Sequence, residues 1–176
     1  MRIGLLSDTH GFLDPKVLKH FAEVDEIWHA GDIGLIGLTD KLAQFKPVRA
    51  VYGNIDDALV RRQFPEDNFF EVAGLRVFMT HIGGYPGRYP ARIKAQLQRF
   101  QPGLFICGHS HIIKVMPDPQ HHLLHINPGA AGNHGFHLVK TIVRFNITAG
   151  KIHDLQVIEL GPRASTDFLK VGVESA

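Results

Sequence analysis

The chain predicts an α/β fold: a two-sheet β-sandwich flanked by helices, with a βαβαβ first half and an antiparallel second half. Three observations carry that expectation. Short apolar runs alternate with helix-like segments over roughly the first third of the chain. Later runs come in pairs hinged at Gly- or Pro-containing turns. Fragments rich in Asp, His and Asn follow the apolar runs, where open α/β sheets place their sites, beyond the carboxyl ends of the strands.

Arg2 to Ser7 reads as a buried strand around Ile3, Leu5 and Leu6. Asp14-Pro15 opens a helix as an N-cap followed by a first-turn proline, and Val17, Leu18 and Phe21 give it one apolar face to about Ala22. Glu26 to Ala30 is the second strand, Leu38 to Phe45 a helix halted by Lys46-Pro47, and Val48 to Tyr52 the third strand. Asn68 to Ala73 and Leu75 to Thr80 form a hairpin hinged at Ala73-Gly74. Residues 83–90 are a loop rich in Gly, Pro and Tyr; Pro90 opens a helix to about Phe100, and Leu104 to Cys107 is a further strand. Two more hairpins follow, Ile112 to Met116 with His121 to Ile126, and Thr141 to Ile147 with Lys151 to Glu159. The organisation expected is one domain over residues 1–160, followed by a C-terminal tail over 161–176.

A chain of 176 residues, 44% hydrophobic and 20% charged, is ordinary for a globular domain with a proper core. Its net charge of +2 gives no argument for nucleic acid as the partner. The single cysteine, Cys107, excludes an intrachain disulfide and reads as a small buried hydrophobe. No leader-like segment and no apolar run of membrane-spanning length is present, so a cytoplasmic location without membrane contact is expected.

Five fragments carry the chemistry: Asp8-Thr9-His10, Gly31-Asp32, Gly53-Asn54-Ile55-Asp56, Thr80-His81 and Gly108-His109-Ser110-His111. A lone His-x-His says little in a chain with twelve histidines. Five such fragments, each closing a strand, point to a two-metal hydrolase site. The candidate ligands are Asp8, His10, Asp32, Asn54, His81, His109 and His111. Two carboxylates with neutral imidazoles and an amide leave two divalent ions with excess positive charge. A hydroxide and a phosphodiester monoanion would neutralise it. The mixed oxygen and nitrogen donors favour transition metals, with Mn²⁺ first and Ni²⁺, Fe²⁺ or Zn²⁺ next, over Mg²⁺ or Ca²⁺.

In this order the five motifs resemble those of the calcineurin-like metallophosphoesterase superfamily, and the short chain with Gly-Asn-Ile-Asp is most similar to its small YfcE-type phosphodiesterase branch. The resemblance covers residues 1 to about 158, including Asn127-Pro128-Gly129-Ala130. It implies that Asp8, His10 and His111 hold one ion and Asn54, His81 and His109 the other, with Asp32 between them. It also implies a small-molecule phosphate ester as substrate, in-line attack by a hydroxide held between the ions, and self-association through a surface that no stretch of the chain marks. Two departures stand out. Ile55 occupies the position of the histidine that protonates the leaving group in phosphatase relatives, which favours diesters or activated esters. His81-Ile82-Gly83 lacks the second histidine of the branch's His-Gly-His.

Asp32, Asn54, Asp56 and Arg88 are the catalytic candidates, with Asp56 orienting Asn54 or ending a helix, and Arg88 contacting a phosphate oxygen. Blander readings fit other residues. His29 reads as a hydrogen-bonded core or supporting residue. His20, His121, His122, His125, His134, His137 and His153 read as surface or edge-strand positions, and Arg61-Arg62 as a solvated face. Tyr85 and Tyr89 either line the cleft or pack the loop. Two other functions compete: a non-catalytic interaction scaffold, as in a retromer subunit that shares this fold, and a phosphatase acting on a nucleotide or phosphoprotein.

Overall fold

The computed structural model describes residues 1–163. Strand β1 (Arg2–Leu6) lies parallel to β2 (Glu26–His29), and β2 parallel to β3 (Val48–Ala50). Helices α1 (Pro15–His20) and α2 (Ile36–Phe45) make the crossovers. Asp14 caps α1 by accepting the Lys16 N–H, and α2 stops one residue short of Lys46-Pro47.

The second half differs from expectation. Strands β4 (Asp67–Val72) and β5 (Leu75–Thr80) form the expected hairpin. Helix α4 (Ala91–Phe100) then carries the chain over the sheet, so β6 (Leu104–Ile106) lies parallel to β5. Strand β8 (Leu123–Pro128) is parallel to β6, with β7 (Ile113–Asp118) antiparallel on the outside. The second sheet, in order β4-β5-β6-β8-β7, is therefore mixed, because a ten-residue helix between two strands makes a βαβ unit and not a meander. The last hairpin, β9 (Val139–Thr148) and β10 (Lys151–Pro162), returns to the first sheet, giving the order β10-β9-β1-β2-β3. Strand β10 includes Gly161 and Pro162, two residues expected in the tail; residues 164–176 of that tail lie outside the described residues.

Alternation along the strands builds the layers. Ile3, Leu5, Trp28, Val77, Met79, Ile106, Val143 and Phe145 meet between the sheets. Leu6, Ile27 and Ile142 face outward against Val17, Phe21, Leu42 and Val60 of the helices. On the opposite side Phe78 and Phe105 pack against Ile93 and Leu97 of α4. Val60 belongs to α3 (Ala58–Gln63), a helix absent from the expected elements. Its start signal is Asp57, whose carboxylate accepts from the Leu59 and Val60 N–H groups. No helix among the described residues is long and apolar enough to cross a membrane.

Candidate metal centre

Six strands with parallel neighbours, β1, β2, β3, β5, β6 and β8, direct the segments that follow them to one edge of the sandwich. The loops there are laced together by backbone bonds: Asp8 N donates to Gly31 O at 3.0 Å, His10 N to Asp32 O at 3.0 Å, and Gly108 N to His81 O at 2.9 Å. The lacing bends the chain sharply. Asp8, His10, Asp32, His109 and His111 all have positive φ, between 48° and 69°. Non-glycine residues rarely adopt this conformation, at a cost of about 1–3 kcal/mol each. Five ligand candidates that all accept such strain are held there by their surroundings.

The result is two overlapping groups. Ligand atoms of Asp8, His10, Asp32 and His111 lie within 4.8 Å of one another, and so do those of Asp32, His81 and His109. Asp32 is common to both. Its Oδ2 is 3.7 Å from His10 Nε2 and its Oδ1 is 3.2 Å from His81 Nε2. Asp8 Oδ1 is 3.2 Å from His111 Nε2, and the Asp8 carboxylate also accepts the His109 N–H at 3.2 Å. Asn54 joins His10, Asp32, His109 and His111 around a cleft of about 270 Å³.

The donor set fits cations. Asp8 and Asp32 are buried at 0% and 2% exposure, yet among the described residues no Lys or Arg lines the cleft. His81 Nδ1 lies 2.8 Å from the Ala30 carbonyl, which can only accept, so Nδ1 carries the proton. The buried Nε2 has no hydrogen-bond partner among the described residues and turns toward Asp32. A lone pair facing a carboxylate suits a cation between them. Burial opposes charge on both His81 and Asp32. With no cation between them, Asp32 and Asp8 outweigh it and raise the His81 pKa, and the charged ring, with the Ile55 N–H and His10, holds the Asp32 carboxyl below its ordinary range. Imidazoles with carboxylates are the ligands of transition metals.

The calcineurin-like phosphoesterase superfamily domain matches residues 1–150. The chain belongs to that superfamily. A probable metallophosphoesterase of Methanocaldococcus jannaschii is 31% identical over 137 residues, covering 74% of this chain and 68% of that protein. Among solved structures, a novel archaeal phosphodiesterase is similar with a TM-score of 0.73 at 22% identity, over 91% of this chain and 100% of that one. Vps29 of Entamoeba histolytica complexed with zinc is similar with a TM-score of 0.70 at 15% identity, over 92% of this chain and 99% of that one. At such identities both structures speak to the fold alone.

Around the centre of this calcineurin-like chain, other residues support or frame the ligands. Asp56 is buried and spends both oxygens on backbone, accepting from Gly34 N and Gly53 N at 2.7 Å each. It ties the loops after β2 and β3, and the residue that caps the helix is Asp57, not Asp56. Arg61 is exposed as expected, but it is not idle. Its guanidinium donates to Asp56 O at 2.7 Å, Asn54 O at 3.1 Å and Gly53 O at 3.3 Å. Asn127 donates to Gly108 O at 2.8 Å and Ser110 Oγ at 3.1 Å, holding the His-x-His loop. His29 accepts the Gly31 N–H on Nδ1 and donates from Nε2 to Thr9 Oγ1; burial pushes its pKa down to about 4.

Ile55 is exposed on the cleft wall. His134, assigned no role from sequence, also lines the cleft with its ring 4.8 Å from that of His10. The signal for it is position: Asn133 to His137 comes after Asn127-Pro128-Gly129 with three residues between, and Asn127 holds the His-x-His loop. Arg88 is exposed on its loop, and it lines neither this cleft nor the two cavities beside it. Tyr89 packs in the core against Phe105, while Tyr85 faces a neighbouring cavity. His125 is not an edge residue; it is fully buried in β8. Cys107 is buried as expected, its thiol pushed up to about 12 by burial.

Proposed function

We propose that the protein is a dinuclear metal-dependent phosphoesterase, and more narrowly a phosphodiesterase acting on a small-molecule phosphate ester. The observation that carries this is Asp32, a single buried carboxylate within reach of both ligand groups. In this reading Asp8, His10 and His111 hold one ion, Asn54, His81 and His109 the other, and Asp32 both, with Mn²⁺ the first candidate and Ni²⁺, Fe²⁺ or Zn²⁺ alternatives. Such ions, when bound, supply an activated water for in-line attack and positive charge for the phosphoryl oxygens.

The chain's own contribution is to hold the donors rigid and to leave one face open. Asp56 and Arg61 fix the Asn54 loop from below, Asn127 fixes the His109 loop, and His29 with Thr9 braces the turn that bears Asp32. Ile55 supports the narrower diester reading, since it offers no proton to a leaving group where the cleft is open. Arg88 keeps its expected role as a phosphate contact only if Arg88→Ala raises KM.

The test is to strip the protein with chelator and restore Mn²⁺, Ni²⁺, Zn²⁺ or Mg²⁺ in turn. Turnover is then read on bis-p-nitrophenyl phosphate and p-nitrophenyl phosphate. Metal-dependent turnover favouring the diester supports the proposal. Preference for the monoester would move the reading to a phosphatase, and no turnover with any metal would move it to a non-catalytic scaffold.

A further inference from the structure

The segment Ala131 to His137 lies outside the five motifs, and the structure folds it against the metal-centre cleft. Its entry is tied to the chain that leaves β1: Ala131 N donates to Ser7 O at 2.9 Å and Gly132 N to Asp8 O at 3.1 Å. Its far end closes back on that entry, with His137 Nε2 donating to Gly132 O at 3.0 Å. Between these ties Gly135 presses on a candidate ligand, since a Cβ there would stand 2.1 Å from His111 Nδ1. His134 is thereby carried to the cleft wall, exposed, with its ring 4.8 Å from that of His10. It belongs to neither group of ligand atoms.

On the phosphoesterase reading above, we propose that His134 is a substrate-binding residue of this centre, whose ring N–H holds a phosphate oxygen that faces away from the ions. An anionic phosphate gains most from hydrogen-bond donors fixed where its oxygens lie. The walls of the cleft narrow the choice of donor. Among the described residues no Lys or Arg lines it, and in this reading its five candidate ligands are committed to the ions. Ile55, Gly135 and Phe136 have no side-chain donor. Ser110 serves its own loop, its Oγ accepting from Asn127 Nδ2 at 3.1 Å and from Ile112 N at 3.3 Å. His134 is the side chain that remains. An imidazole keeps at least one N–H whether neutral or charged, so the contact does not depend on its charge state. The competing role is to pack against the His10 ring, and a ring without nitrogens would do that equally well.

The experiment is equilibrium titration calorimetry of the manganese-loaded protein with inorganic phosphate, with bound manganese counted in the same samples. His134→Ala and His134→Phe are each expected to weaken phosphate by about tenfold and to leave the manganese count unchanged. His134→Gln, which restores an N–H donor, should return the affinity to within about threefold of the unmodified protein. Unchanged phosphate affinity in His134→Phe would assign the ring to packing and overturn the proposal. So would a loss in His134→Ala that comes only with loss of manganese, or an unmodified protein that binds no phosphate. Turnover of bis-p-nitrophenyl phosphate separates the two readings. Turnover with a phosphate affinity that none of the variants moves removes the His134 assignment alone. The tenfold loss without turnover of any ester removes the phosphoesterase reading and keeps the phosphate contact.

Discussion

His81 Nε2 and Asp32 Oδ1 stand 3.2 Å apart without a hydrogen bond between them. The His81 Nδ1 proton is spent on the Ala30 carbonyl. Burial opposes charge on the ring, but Asp32 and Asp8 outweigh it and raise its pKa, so Nε2 attracts positive charge, a proton or a metal ion. Such a pair is stable when a cation lies between the two groups. Asp32→Asn keeps the shape and removes the charge that both ligand groups share. Changing the partners behind a metal ligand commonly costs 10–100-fold, so loss of the shared ligand is expected to lower kcat/KM by more than about 100-fold. Steady-state kinetics at several metal concentrations would check it, and a fully active variant would count against a shared ligand.

Gly53 sits where a Cβ would collide with the Asp32 carboxylate and with its backbone nitrogen. Neither atom can withdraw without moving the centre. Gly53→Ala is expected to destabilise the fold by about 1–3 kcal/mol and to weaken metal binding. Gly37, inside α2 with nothing within 4 Å, is the control. Gly37→Ala should stabilise by roughly 0.5–1 kcal/mol, read as a shift in urea midpoint.

The three carbonyls that Arg61 holds all belong to the loop that presents Asn54. The guanidinium also stacks 4.6 Å from the centre of the Tyr52 ring. A lysine cannot reproduce that planar fork. Arg61→Lys is expected to reduce diester turnover by about tenfold, with higher metal concentrations needed for half-activation. Arg62→Lys, on an exposed neighbour that bonds only its own helix, should change neither quantity.

Two buried histidines, His29 and His125, are held neutral by burial with pKa values down at about 4. Unfolded, each titrates near 6.5. The folded state therefore binds fewer protons than the unfolded chain between those limits. The stability from keeping them neutral is present above about pH 6.5 and is lost as pH falls toward 4. Urea midpoints measured between pH 7.5 and 5 are expected to decline, and less steeply in His125→Phe. Parallel slopes in the two proteins would show that His125 titrates normally.

Much of the candidate site was legible in the sequence, for a physical reason. Side chains that meet at one edge of the sandwich must leave the ends of strands, so the candidate ligands Asp8, Asp32, His81 and His109 each follow a short apolar run and announce themselves. The helix at Ala58–Gln63 was not legible because six residues give too few turns for a periodic signal, and its cap is one Asp in a run of two. The mixed second sheet was missed because a hairpin and a βαβ unit begin with the same strand pattern, and α4 decides between them. The contacts of Arg61 were missed and His125 was misread because local sequence reports neither the carbonyls a side chain reaches nor the sheet that buries it.

The most direct test of the central claim is to titrate Mn²⁺ into metal-free protein, counting bound ions and measuring diester turnover on the same samples. Two ions per chain are expected, with turnover rising as the second one binds. Full turnover at one ion per chain would contradict the dinuclear centre, and two bound ions with no turnover on any phosphate ester would contradict the enzyme.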